Sequence, residues 1–149
     1  MPSTEFMKKL NYLLSFFAGA ASLFIVLSFT DDQHMEKYIL QHEKEIAKEQ
    51  PGPHKGGGTT IAFPFFEGTK DLEIAFRKRI LKPGSAIGYH LQKSDEIYYI
   101  LNGNGEMQMN GKSFPVTTGD AILTRPGSSH GLKPAGNEDL IVMIAYILD

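Results

Sequence analysis

The chain has 149 residues, 42% of them hydrophobic and 21% charged, which is enough for one globular domain with a real core plus extensions. Its formal net charge of -2 gives no electrostatic reason to expect nucleic acid or an acidic membrane surface as a partner. There is no cysteine, which excludes disulfides, cysteine-bound zinc and thiol chemistry.

Met1 to Phe6 carries no structural signal. Lys8 and Lys9 then open a basic segment, and from Leu10 to Thr30 no residue is charged. That run is long for the core of a secretory signal and nearly long enough to span a bilayer. Residues 1–30 are therefore expected to be a signal peptide or an N-terminal membrane anchor. Lys8 and Lys9 should stay in the cytoplasm. The rest is then exported, periplasmic or extracellular, or tethered facing outward through residues 10–30.

Asp31 to Glu49 reads as an amphipathic helix. Asp31 or Asp32 can cap it, and Met35, Tyr38, Ile39, His42 and Ile46 form one narrow stripe at helical spacing. His34 and His42 read as surface histidines. Gln50 to Gly58, QPGPHKGGG, is expected to be loop because of its proline and glycine density. Residues 31–58 thus read as helix plus Gly/Pro-rich linker. A phosphate-binding loop is excluded, because Lys55 precedes the glycines and no Gly-Lys-Ser/Thr follows. His54 reads as a solvated loop residue.

From Thr59 the hydrophobic period shifts towards two, so residues 59–149 read as the β domain. Thr59 to Phe63 is a short strand, and Pro64-Phe65-Phe66 a corner. Leu72 to Leu81 alternates, with Leu72, Ile74, Phe76, Lys78 and Ile80 on one face. Glu73, Ala75, Arg77, Arg79 and Leu81 share the other. Arg77 and Arg79 suit an anion clamp, since guanidinium matches carboxylate geometry. The usual placement of charged side chains favours a solvated or subunit-facing stripe instead. Asn110-Gly111 predicts a type I′ hairpin. Leu140 to Leu148 is apolar on both faces, so its outer face needs a cover, either a second subunit or the Asp31 to Glu49 helix.

The chemistry-bearing stretch is Gly84 to Gly103. His90 and Gln92, two apart, point to one side of a strand, and Glu96 follows across a short corner. An imidazole, an amide and a carboxylate can converge there, a donor mixture that divalent first-row metals accept. His130, just after Pro126-Gly127, offers a fourth group.

These segments resemble the cupin superfamily. Its first motif, Gly-x5-His-x-His-x3-4-Glu-x6-Gly, is matched by Gly84, His90, Glu96 and Gly103, with Gln92 where the second histidine usually stands. Its second motif, Gly-x5-Pro-x-Gly-x2-His-x3-Asn, is matched by Gly119, Gly127 and His130. Arg125 stands at its proline position and Pro134 at its asparagine. The resemblance implies an all-β jelly-roll barrel, a double-stranded β-helix, with one short helix and the N-terminal signal or anchor segment. It also implies one divalent transition metal (Fe, Mn, Ni or Zn, which the residues do not distinguish) held by His90, Gln92, Glu96 and His130. Both histidines would bind as neutral imidazoles, so binding weakens on acidification. Tyr98, Arg77, Arg79 and Met107 are ligand-cavity candidates, and Arg125 is expected to form a salt bridge on the rim. A small-molecule ligand or substrate and a homodimer are the expected partners. Two functions stay open: a metal-dependent oxygenase, isomerase or lyase acting on a small oxygenated molecule, and a module that binds metal or ligand without turnover. The lack of any helix-turn-helix signal argues against a transcription factor.

Overall fold

The computed structural model of the protein describes residues 38–148. The expected signal or anchor segment at residues 1–30 lies outside the described residues, as do residues 31–37 of the expected helix. Among the described residues no helix is long and apolar enough to cross a membrane.

The described chain begins with α1 (Glu43–Ile46), β1 (Lys48–Gly52), β2 (Gly57–Phe65), β3 (Ile74–Leu81) and β4 (Ile87–Leu91). It continues through β5 (Glu96–Asn102), β6 (Asn104–Met109), β7 (Lys112–Thr117), β8 (Ala121–Thr124), β9 (Ser129–Pro134) and β10 (Leu140–Ile147). The strands form a six-stranded sheet, β1-β2-β3-β10-β5-β8, and a four-stranded sheet, β4-β9-β6-β7. Every pairing is antiparallel. Ile100, Leu140 and Val142 from one sheet and Ile87, Met107 and Leu132 from the other share one core. Two sheets closed on a common core make the expected jelly-roll barrel. The β6–β7 turn carries positive φ at both Asn110 (48°) and Gly111 (78°), as a type I′ hairpin requires.

The N-terminal part departs from expectation. The expected Asp31 to Glu49 helix is, within the described residues, the single turn Glu43–Ile46, and Ala47 ends it in an extended conformation. A narrow apolar stripe supports little helix once the next residues have a better use for their backbone groups. That use is β1, which pairs with β2 in the register Lys48↔Ala62 to Gly52↔Gly57. Gln50 to Gly58 is consequently a β-hairpin and no linker. Pro51 is tolerated because β1 lies at the sheet edge, where its missing N–H breaks no ladder. The glycines serve close approach. A Cβ at Gly56 would overlap the Ala86 carbonyl, and one at Gly88 would overlap the His54 carbonyl. The amide of Gly88 donates to the Pro53 carbonyl at 2.9 Å, fastening the hairpin tip onto β4. The β domain therefore starts at Lys48 and not at residue 59.

On β3 the faces fall opposite to the usual placement of charge. Ala75, Arg79 and Leu81 are buried, while Ile74 and Phe76 face outward. Arg77 and Arg79 therefore lie on the barrel's inner side and form no solvated stripe. Arg79 is accommodated there because Thr60 Oγ1 accepts from its Nη1 at 2.8 Å. The doubly apolar β10 lies between β3 and β5, with Leu140, Val142 and Ile144 buried inward. Its other face belongs to an apolar outer surface of the six-stranded sheet.

Candidate functional site

Strand register brings the site together. His90 on β4 is directly opposite His130 on β9, so both imidazoles leave their strands on the same side. Glu96 opens β5 and projects inward, and Tyr98, two residues on, shares its face. Ligand atoms of His90, Glu96 and His130 all lie within 4.8 Å of one another. His130 is fully buried and Glu96 is only 7% exposed.

The polar atoms here satisfy one another only in part. His90 Nδ1 donates to the Gly88 carbonyl at 2.8 Å, which leaves the Nε2 lone pair free. His130 Nε2 lies 3.0 Å from Glu96 Oε2. That approach is off the hydrogen-bonding direction, because Oε2 is buried without a hydrogen-bond partner, as is His130 Nδ1. The Tyr98 hydroxyl sits 3.0 Å from His130 Nε2. Burial first, and then the Glu96 charge and hydrogen bond, push the Tyr98 hydroxyl well above its ordinary pKa, so it stays neutral. Buried donors left unpaired are costly. Two imidazoles and a carboxylate converging in this way fit a divalent first-row metal.

Gln92 lies just beyond β4. Its amide N–H donates to the Ser128 carbonyl at 2.8 Å, and its carbonyl accepts from the Gly127 amide at 3.0 Å. These bonds fix its backbone against the turn that leads to His130. Its side chain is buried and lines a cleft of about 400 Å³ with His90, Glu96 and Tyr146.

His54 also lines that cleft, from the hairpin tip, although its surroundings in the sequence suggested solvent. It and Lys55 both hold left-handed backbone, with φ of 53° and 63°. That conformation is strained for residues with a side chain. The signal for it in the sequence was the glycine cluster, which marks close backbone approach as well as flexibility. The His54 ring stacks on His90, centroids 3.5 Å apart and planes 4° apart. The group of converging metal-ligand atoms is His90, Glu96 and His130, and His54 packs against its first member. Burial, then His90, lowers its pKa from 6.5.

Arg77, Arg79 and Tyr98 line a smaller cavity of about 70 Å³, bounded also by His54, Glu96 and Tyr146. Met107 takes no part in either cavity and is packed in the core. Arg125 pairs with Asp95 at 2.9 Å on the rim.

Residues 78–146 match the Cupin domain family. The chain is 42% identical over 114 residues to a protein of Thermotoga maritima named oxalate-binding protein, covering 74% of this chain and 94% of that one. Among solved structures it resembles one described as a predicted oxalate decarboxylase from Thermotoga maritima. There the TM-score is 0.67 and the identity 31%, over 74% of this chain and 100% of that one. The cupin domain of Schizosaccharomyces pombe Cnp3 shares the fold at 15% identity, with a TM-score of 0.60 over 76% of this chain and 77% of that one. The protein belongs to the cupin family.

Proposed function

We propose that the protein binds a small carboxylate anion of the oxalate class at a divalent-metal centre held by His90, Glu96 and His130. The observation that carries this reading is the convergence of ligand atoms from His90, Glu96 and His130 within 4.8 Å, with Glu96 Oε2 and His130 Nδ1 buried and unpartnered. The likeness to an oxalate-binding protein supplies the ligand class. A metal there would act as a Lewis acid on a carboxylate oxygen. Three protein donors leave positions for that ligand, and Gln92 lines the same cleft, placed either to fill one of them or to contact the bound anion. Protein purified without an affinity metal column should contain a stoichiometric first-row metal on elemental analysis. Calorimetry should show that oxalate binds the metal-loaded form. A metal-loaded protein indifferent to oxalate would sink this reading.

A second reading is turnover, by the lyase chemistry that the structural relative's description names. Open metal positions beside the neutral, buried Tyr98 support it. Formate released from oxalate by the metal-loaded protein would separate an enzyme from a binding module. The uncharged run Leu10 to Thr30 behind Lys8 and Lys9 supports export, and the apolar outer sheet face supports a homodimer.

A further inference from the structure

Arg79 is 5% exposed, and among the described residues no carboxylate pairs with it. Its guanidinium is nevertheless rigidly held. Nη1 donates to Thr60 Oγ1 at 2.8 Å, and Thr60 Oγ1 donates onward to the Gln50 main-chain carbonyl at 3.0 Å. With its amide oxygen turned inward, Gln50 accepts from Nη1 at 2.9 Å and Nη2 at 2.8 Å. All these partners are neutral, and both come from the β1–β2 hairpin. A second cation stands nearby: Arg77 reaches Glu67 at 3.6 Å and lies over the Tyr146 ring at 5.6 Å. Burial, then Arg77, disfavours the charge on Arg79. Yet a guanidinium does not lose its proton in a protein. A buried cation whose ligands are all neutral calls for an anion. The 70 Å³ cavity beside it, bounded by His54, Glu96, Tyr98 and Tyr146, has room for a group of a few heavy atoms.

We infer that Arg79, fixed by Gln50 and Thr60 and assisted by Arg77, forms a carboxylate-binding subsite next to the candidate metal donors. One carboxylate of the ligand lies against the guanidinium, and its other acidic or oxygen-bearing group faces His90, Glu96 and His130. The ligand class is then a small anion with two oxygen-bearing ends. The choice of oxalate as the probe rests on the proposed function; the subsite itself rests on Arg79.

The test is calorimetric titration of oxalate into the metal-free protein, with inorganic phosphate as a comparison. Wild type should bind oxalate weakly and more tightly than phosphate. Arg79→Gln should weaken oxalate binding roughly 10- to 100-fold, as expected for the loss of a charge-assisted hydrogen bond. Because Arg79→Gln can also disturb folding, Gln50→Glu is the decisive variant. It places a carboxylate of nearly the same shape against Arg79. If the subsite is real, oxalate binding is lost while the melting temperature rises. A purely structural Arg79 would give the rise in melting temperature with oxalate binding unchanged, which would overturn the inference. Undetectable binding to metal-free wild type, or tighter binding of phosphate than of oxalate, would also overturn it. Failure of the metal-loaded form to bind oxalate, with Arg79-dependent binding retained in the metal-free form, would count against the metal centre alone.

Discussion

The imidazole of His54 lies flat on that of His90, ring centres 3.5 Å apart, although His54 sits in the β1–β2 turn and His90 on β4 of the four-stranded sheet. His90 is thus held by a ring on one face and by the Gly88 carbonyl at Nδ1. Removing a group that orients a metal ligand typically costs about 10- to 100-fold in affinity. His54→Ala should therefore weaken metal binding about 10-fold, the low end of the range for such supporting groups. Competition with a chelator measures it.

The burial of His54, and then its neighbour His90, predict a pH dependence of stability in the metal-free protein. The pKa of His54 is lowered from 6.5, so the folded state resists a proton that the unfolded chain accepts. This contribution is full above the unfolded value and is lost as pH falls through the folded one. His54→Gln should flatten the fall in melting temperature between about pH 7 and about pH 5. Parallel profiles for variant and wild type would rule the effect out.

How far the sequence could be read differs along the chain for physical reasons. The barrel was legible from Gly84 onward, because alternation, the Asn110-Gly111 turn and the spacing of His90, Glu96 and His130 are all local signals. The hairpin at Lys48 to Phe65 was not. Its glycines permit packing against Ala86 and Gly88, a long-range contact that composition presents only as flexibility. Arg79 was legible as a cavity candidate, but its burial was not, for a related reason. Charge usually faces water, and the neutral partners that hold this one inside, Gln50 and Thr60, sit on another strand pair. His54 could be placed only once the hairpin was.

Apolar side chains form a row across five strands on the outside of the six-stranded sheet: Phe65, Phe76, Ala145, Ile97 and Leu123. Ile97 is 49% exposed and Leu123 52%. An apolar surface of this breadth is characteristic of an interface. The protein should be a homodimer by light scattering, and Ile97→Asp should shift it to monomer without altering its circular dichroism. A wild-type protein that stays monomeric at high concentration would mean that some other part of the chain covers this face.

The compact unit described here begins at Ile39, well after the uncharged run from Leu10 to Thr30. A chain starting at Asp31 should accordingly give soluble, folded barrel. The full chain should fractionate outside the cytoplasm or with the membrane. Insoluble product from the truncation would assign the N-terminal run to the fold instead of to targeting.

Gln92 provides the sharpest test of the metal centre, because it stands where the cupin motif usually has a second histidine. Its backbone is pinned between Gly127 and Ser128, so a substitution there should keep the side chain directed at the cleft. Gln92→His replaces a neutral amide oxygen by a more basic imidazole nitrogen, which should tighten binding of late first-row metals such as nickel or zinc. His90→Ala and Glu96→Ala should each cost at least about 100-fold, beyond the range for groups that merely support a ligand. Glu96→Ala also removes the carboxylate charge from the cluster. Chelator competition at neutral pH orders all three. Tighter binding in Gln92→His makes position 92 part of the coordination shell. Unchanged affinity there, with loss in His90→Ala, leaves three protein ligands and gives Gln92 to the bound anion. If His90→Ala and Glu96→Ala both bind metal as wild type does, the converging donors are not a metal centre and the proposed function loses its basis.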